Sequence, residues 1–358
     1  MKQRIIGFDL ARAYAIFGMY IVNFNIVFGN YSDTSWLGKF LALFSGNSST
    51  VFVMLAGMGI ALMTNRPIYT PEEKQKLRSI INKRAWFLFV LGLMLYFWWP
   101  ADILHFYGAY MHIAALLLFV QKRLYLYTAG AAIVVFHLLL VFIPYETGWN
   151  FATLEYKDFW TISGFVRNTL YNGWNAVFPW LAYFTIGMYL GRVDWTETKT
   201  QRRMFVIGLI LYGANLLLQT LANTLPLGED IKFYINADYL PPFLPFMIGT
   251  VGFGFMVIAS FMYAGRYFQD HTLAQDIAKT GQMTLTHYIS HLTIGMIVFA
   301  AISGRHYAGK MNTEKPVEPL FVLLFSIVYI VLSFYFSTLW SKRFKNGPFE
   351  TLMRTISG

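Results

Sequence analysis

Residues 318–340, EPLFVLLFSIVYIVLSFYFSTLW, carry no charged side chain after Glu318. An α-helix needs about 20 apolar residues to cross a hydrocarbon core about 30 Å thick, and this stretch supplies them. Phenylalanine, leucine, isoleucine and valine continue around every face, so no polar stripe is left to turn towards water. The rest of the chain is built the same way. Of 358 residues, 56% are hydrophobic, 19% aromatic and only 13% charged, about half the charge with which a soluble domain covers its surface. Further apolar runs lie near 7–29, 46–64, 84–99, 102–120, 123–143, 172–191, 204–224, 241–264 and 280–302. An open sheet would leave backbone groups unpaired in lipid. The sequence therefore predicts an all-α, polytopic integral membrane protein, a bundle of about ten transmembrane helices.

The formal net charge of +10 admits nucleic acid as a partner until the charges are placed. An even number of spans puts both termini on one side. That side holds 21 of the 28 lysines and arginines, while the other holds 7 of them with 10 of the 18 acidic groups. The asymmetry orients the N- and C-termini to the cytoplasm. It accounts for the basic balance through insertion and contact with anionic lipid, which leaves nucleic acid without support. Trp98, Trp99, Trp149, Trp160 and Trp174 fall at predicted outer boundaries, as an interfacial aromatic belt would. Cysteine is absent, which excludes disulfides, thiolate nucleophiles and zinc-thiolate sites. The first apolar stretch contains Asp9 and Arg12 and lacks a small-residue cleavage site, so it reads as a retained helix.

Residues 1–345 read as one transmembrane domain without repeats or linkers. The longest connections, near 65–83 and 144–171, are too short for a soluble catalytic domain, so any chemistry belongs in the bundle or at its mouths. Residues 346–358 read as a short cytoplasmic helix on the inner leaflet. Pro348 starts it, Glu350 lies in its first turn, and Leu352, Met353 and Ile356 share a face.

Ionisable groups within spans cost several kcal/mol unless paired or hydrated, so each is a candidate site. Asp9 and Arg12 stand three apart with opposite sign, which suits an ion pair that pins the first helix. Asn23 and Asn25 near its outer end are able to bond between helices or to orient a substrate. Asp102, His105 and His112 follow one stripe of the fourth span. A carboxylate beside an imidazole makes a general base for a hydroxyl. Asp102 as a helix cap beside an interfacial histidine is the equal alternative. His287 and His291 share a face with Thr280 and Thr284, a polar seam or substrate contact. Without a glutamate nearby they make a poor metal motif, and no metal is expected. His137 stands alone among apolar residues, and Gly57-Met58-Gly59 suits close helix packing.

These residues resemble the YeiB-type bacterial membrane proteins, which are placed with heparan-alpha-glucosaminide N-acetyltransferase in the transmembrane acyltransferase superfamily. The opening signature is similar at Arg4, Asp9, Arg12, Ala15, Gly18 and Asn23, with Ala13 where a glycine usually stands. Phe52, Leu55, Gly57 and Gly59 match the second helix, and Asp102-Ile103-Leu104 with Tyr107 the fourth. Phe178-Pro179-Trp180-Leu181, Tyr183, Gly187, Met188, Leu190, Gly191 and Arg192 resemble the sixth-helix block. Gly281, Met283, Leu285, Thr286 and Tyr288 resemble the ninth, where Gln282 and His287 replace arginine and asparagine. The tail Gly347-Pro348-x-Glu350-x-Leu352-x-Arg354 is the most specific match, because its spacing has no general structural explanation.

The resemblance implies a multi-pass protein of the bacterial inner membrane that moves an acyl group from cytoplasmic acyl-CoA, acetyl-CoA in the first instance, to a glycan or lipid acceptor of the envelope. The acetyltransferase carries its catalytic histidine just before a Ser-Trp, and the similar stretch here is Asp33-Thr34-Ser35-Trp36. Asp33 or His105 would then be the base, and His105 is preferred for its Asp102 partner. Arg12, Arg84, Arg123 and Arg192 are the candidates for the coenzyme A phosphates. Asn23, Tyr107, His112, His287, His291 and Trp36 are candidates for substrate contact, with Asn23 or Tyr107 facing the oxyanion. Asp9, Gly57 and Gly59 are read as structural, and a homodimer is one assembly such a bundle could form. The rival readings are a secondary transporter, whose permeation path the same stripes would line, and a non-catalytic accessory.

Overall fold

The computed structural model describes residues 5–307, 309 and 315–358. Lys2, Arg4 and Lys310 of the charge pattern lie outside them. The described residues are all-α apart from one two-residue antiparallel pair, Trp149–Asn150 with Glu155–Tyr156. In chain order the helices are α1 (Ile6–Phe28), α2 (Trp36–Ala42), α3 (Asn47–Met63), α4 (Pro71–Tyr96), α5 (Leu104–Leu116), α6 (Lys122–Phe142), α7 (Ile162–Arg167) and α8 (Val177–Leu190). There follow α9 (Thr198–Thr224), α10 (Glu229–Asn236), α11 (Leu244–Phe268), α12 (Thr272–Gln282), α13 (Thr284–Ser290), α14 (Met296–Ser303), α15 (Pro319–Trp340) and α16 (Pro348–Ser357). Single π-helical turns cover Asn168–Asn172 and His291–Gly295.

Among the described residues, eight helical stretches are long and apolar enough to cross a membrane. They account for eight of the ten expected runs. The remaining two, near 102–120 and 172–191, hold the shorter helices α5 and α8, of 13 and 14 residues. At 1.5 Å per residue each is about 20 Å long, short of a bilayer core of about 30 Å. A short helix, α2, precedes the run near 46–64, and the run near 280–302 is single in the sequence and divided in the structure. Gly46, at φ 67°, lies in the turn between α2 and α3, a conformation that glycine adopts without a Cβ penalty. The run near 280–302 is α13, a π turn and α14 in series.

Helix ends follow local chemistry. Thr70 and Glu73 exchange hydrogen bonds in a reciprocal cap and Pro71 occupies the first turn, so α4 begins thirteen residues before the apolar run it contains. Pro319 opens α15 in the same way.

The described residues fall into two compact units. One lies within Met1–Phe52, Asp194–Asn236 and Pro245–Thr351, the other within Val53–Val193, Ala237–Leu244 and Leu352–Gly358. In the first, α1 packs along α12 and α15. Gly281 lets α12 approach so closely that an added Cβ would strike the carbonyl of Asp9. In the second, α4 packs along α5 and α6 along α8. Gly57 on α3 faces the backbone of Phe184, and Gly187 on α8 faces that of Met54, the close approach that small residues allow between helices.

Glu350 gives the C-terminal motif a physical reason. Its Oε1 accepts the backbone N–H groups of Leu285 at 2.7 Å and Thr286 at 3.2 Å, and its Oε2 accepts the Thr286 hydroxyl at 2.6 Å. The carboxylate thus caps, from another helix, the N-terminus of α13 that is exposed where the chain breaks at Met283. Phe349 donates its N–H to Thr286 Oγ1 at 3.2 Å, which directs the hydroxyl proton towards Glu350. Burial raises the Glu350 pKa, and the bonds from Thr286 and Leu285 oppose that shift. Between the ordinary carboxylate range and the raised value the folded chain holds a proton that the unfolded chain has lost, so this contribution to stability falls as pH rises through that window. We expect Glu350→Ala to cost about 1–3 kcal/mol by leaving two buried N–H groups without an acceptor. Glu350→Gln should flatten the pH dependence in that window, and unfolding in detergent across pH 4–8 reads both.

Candidate functional site

Asp102 stands two residues before α5, and its Oδ2 accepts two bonds from His105: the backbone N–H at 3.0 Å and ring Nδ1 at 3.0 Å. The cap and the acid–imidazole pair, alternatives in the sequence, are here the same contact. With its proton on Nδ1, donated to the carboxylate, the ring bears its lone pair on Nε2. That nitrogen is buried and has no hydrogen-bond partner among the described residues. Both side chains are 0% exposed.

The surroundings of the pair are aromatic. Phe106, Phe159 and Tyr96 lie with ring centroids 3.8, 5.9 and 6.0 Å from the imidazole, and Tyr96 stacks on Phe159 at 3.6 Å. Phe159 is held by a polar network in the loop that carries it. Arg167 grips both carboxylate oxygens of Asp158 at 2.7 and 2.6 Å and donates to the Tyr156 hydroxyl at 2.8 Å. Tyr156 in turn donates to Asn172 at 2.7 Å, whose amide donates to the carbonyls of Tyr145 and Thr147, each at 2.8 Å. On the other side Gly92 of α4 leaves the room: a Cβ there would meet Asp102 Oδ2 at 2.5 Å and His105 Cα at 2.9 Å.

At the opposite end of α5, about 20 Å away by helical rise, lies a cavity of about 360 Å³ lined by Thr64, Arg66, Tyr69, Lys74, Phe119 and Arg192 among others. Arg192 is committed within it. Its Nη1 donates to the carbonyl of Thr64 at 2.6 Å and to Asn65 at 3.1 Å, and its Nη2 to the Thr64 hydroxyl at 2.7 Å and the carbonyl of Leu118 at 3.0 Å. It therefore satisfies carbonyls at the C-terminal ends of α3 and α5 and contributes charge to the cavity more than free donors.

Other predicted residues are placed as follows. Tyr107 is buried beside Tyr110 and Phe184. His112 Nδ1 lies 3.3 Å from Asn82 Oδ1, with its ring edge-on to Trp86 at 4.8 Å. Arg84 reaches the Ser357 hydroxyl at 3.2 Å and Met63 sulfur at 3.4 Å, while Arg123 is exposed. In the other unit, Asp9 holds Arg12 at 3.1 Å and accepts from Gln282 at 3.3 Å. Asn23 Nδ2 lies 2.9 Å from His291 Nε2, whose Nδ1 faces the His287 carbonyl at 3.1 Å. His287 Nε2 instead meets Ser337 at 2.7 Å. Among the described residues no three His, Asp or Glu side chains converge as a metal site. Asp33 accepts the backbone N–H of Ser35 at 2.8 Å, and hydrogen bonds from Ser35 hold its carboxyl below the ordinary carboxylate range. Trp36 is 79% exposed at the start of α2.

Arg66, Tyr69, Lys74 and Phe119 escape the sequence reading. The Arg66–Tyr69 spacing is a local signal, but nothing in the sequence joins Lys74 to Phe119.

The family described as heparan-alpha-glucosaminide N-acetyltransferase, catalytic, matches residues 4–219, a stretch that contains the Asp102–His105 pair and the cavity. A protein family of unknown function, DUF418, matches residues 189–358. The uncharacterized protein YeiB of Escherichia coli (strain K12) is 22% identical over 394 residues, covering 99% of this chain and 96% of the relative. The chain belongs to the heparan-alpha-glucosaminide N-acetyltransferase catalytic family and is similar to YeiB along nearly its whole length.

Proposed function

We propose that this protein is a membrane-embedded acyltransferase that moves an acyl group, acetyl in the simplest case, from acyl-CoA to a hydroxyl or amine of an envelope glycan or lipid. The observation that carries the reading is the Asp102–His105 pair, with His105 Nε2 buried and without a partner, inside the stretch that matches an acetyltransferase family. Nε2 takes the proton of the acceptor as its oxygen or nitrogen attacks the thioester carbonyl. The carbon–sulfur bond then breaks, and the imidazolium returns the proton to the coenzyme A thiolate. Asp102 holds the ring in the required tautomer and stabilises its charged form. The aromatic shell keeps bulk water from the thioester, which disfavours hydrolysis as a side reaction.

The distribution of charge supports a cytoplasmic donor. Arg66, Lys74, Arg78, Lys122, Arg123 and Arg192 all gather at the cavity end of α3 to α8, the end that the excess of basic residues assigns to the cytoplasm. Because α5 and α8 are each about 20 Å long, a donor with a long flexible arm has less than a full bilayer core to traverse between the basic end and His105.

Thermal unfolding with and without acetyl-CoA tests the donor, because selective binding to the folded chain raises its stability. His105→Ala should lower transfer about 10²- to 10⁴-fold while leaving the acetyl-CoA shift intact. Loss of that shift would make His105 structural. Asp102→Asn, which removes the charge and favours the other ring tautomer, should also lower kcat, by up to about 10⁴-fold, at unchanged thermal stability. Equal losses in both variants, with unfolding at lower temperature, would assign the pair to helix capping alone.

A further inference from the structure

The cavity at the far end of α5 is a stronger anion site than the arginines singled out in the sequence. Arg66 lies with its guanidinium carbon 4.5 Å from the centre of the Tyr69 ring. The Lys74 ammonium and the Arg78 guanidinium each lie 5.7 Å from the centre of the Phe119 ring. The two rings stand 5.2 Å apart at 60°. Arg192 adds a fourth positive charge from below, its Nη donors occupied by carbonyls and hydroxyl of Thr64 and Leu118 and by Asn65. Against these stands one carboxylate, Glu73, 2.8 Å from Arg66 and already bonded to the N–H of Thr70. Arg66, Lys74 and Arg192 line the cavity of about 360 Å³ together with Tyr69 and Phe119, while Arg78 and Glu73 stand next to these side chains outside the lining. That volume is at the small end of ligand cavities, about 300–1,000 Å³, so it suits a head group and not an entire donor.

We propose that this cavity binds the phosphorylated nucleotide head of the acyl donor, with phosphate against Lys74 and Arg66 and the planar base on Phe119 and Tyr69. The assignment rests on the acyltransferase reading and says which residues select its donor. A phosphate alone would be satisfied by the cations; the rings add a requirement for a flat aromatic group. An anionic lipid head group offers the phosphate without the base, so the two sources of the same charge are separable. The cavity also predicts that a donor carried on phosphopantetheine without a nucleotide is a poor substrate.

The test is binding to the detergent-solubilised full chain, read by calorimetry with coenzyme A, adenosine 3′,5′-bisphosphate, pantetheine, inorganic phosphate and phosphatidylglycerol as separate ligands. Lys74 and Arg66 are exposed, so Arg66→Ala with Lys74→Ala should fold and should weaken coenzyme A at least about tenfold, a loss of roughly 1.4 kcal/mol. Phe119→Leu should weaken adenosine 3′,5′-bisphosphate and leave inorganic phosphate unchanged. Unaltered coenzyme A affinity in the double variant would overturn this site and leave the acyltransferase reading standing. Absence of coenzyme A binding to the unaltered chain would overturn both. Phosphatidylglycerol binding that depends on Lys74, or that displaces the nucleotide without dependence on Phe119, would assign the cavity to lipid and overturn the proposal.

Discussion

Hydrocarbon offers no hydrogen bonds, and the polar arrangement of both units follows from that constraint. Several ionisable side chains within the helices bring a partner within a turn of helix or find one across a close helix contact. Asp9 takes Arg12 three residues on, and Asp102 takes His105 at the same spacing. His287 uses Ser337, and His291 uses Asn23 on one side and a backbone carbonyl on the other. Such pairing lowers the cost of burial and fixes side chains in one geometry, so the groups that satisfy the bilayer are also the ones held still enough for chemistry. Glu350 belongs to the same logic at the membrane edge. A broken helix exposes its N–H groups at Leu285 and Thr286, and the carboxylate of α16 covers them.

Two devices give the second unit its functional shape. Glycine at positions 57, 92 and 187 brings backbones into contact, so the helices that carry the polar groups cannot drift apart without losing dispersion contacts along their length. The loop of residues 144–172 then places Phe159 against Tyr96 through the chain of bonds from Arg167 to Asn172. Its Arg167 is paired with Asp158, and its Phe159 ring faces His105.

Fold class was legible because lipid imposes its signal on every window: charge-free runs such as 319–340 have no alternative in a helical chain. Boundaries were less legible where local caps and breaks override hydropathy. Thr70 and Glu73 start α4 well before its apolar portion, and Met283 marks a break within a run that read as continuous. The Asp102–His105 contact could be read because three residues on a helix bring side chains together. The pairing of Lys74 with Phe119, or of Glu350 with Thr286, joins positions about 45 and 64 residues apart, and periodicity carries no information on such contacts. Arg192 shows the converse. Its charge was legible and its role as a clamp on Thr64 and Leu118 was not, since backbone carbonyls have no sequence signature.

The choice between Asp33 and His105 as the base in the proposed transfer turns on what each hydrogen bond does to the lone pair. Asp33 receives bonds from Ser35 that pull its pKa down, which stabilises the carboxylate and weakens it as a proton acceptor. Its geometry is that of a turn before α2, where Ser35 Oγ accepts the N–H of Gly38 at 3.0 Å. His105 is arranged in the opposite sense. Its bond to Asp102 is made through Nδ1, so the contact fixes the ring and aims Nε2 away from the carboxylate. With no cysteine in the chain, an acyl-thioenzyme is excluded as an intermediate. Direct attack by the acceptor then needs one base with a lone pair not already engaged, and His105 Nε2, which has no hydrogen-bond partner among the described residues, meets that need better than a carboxylate held in a turn.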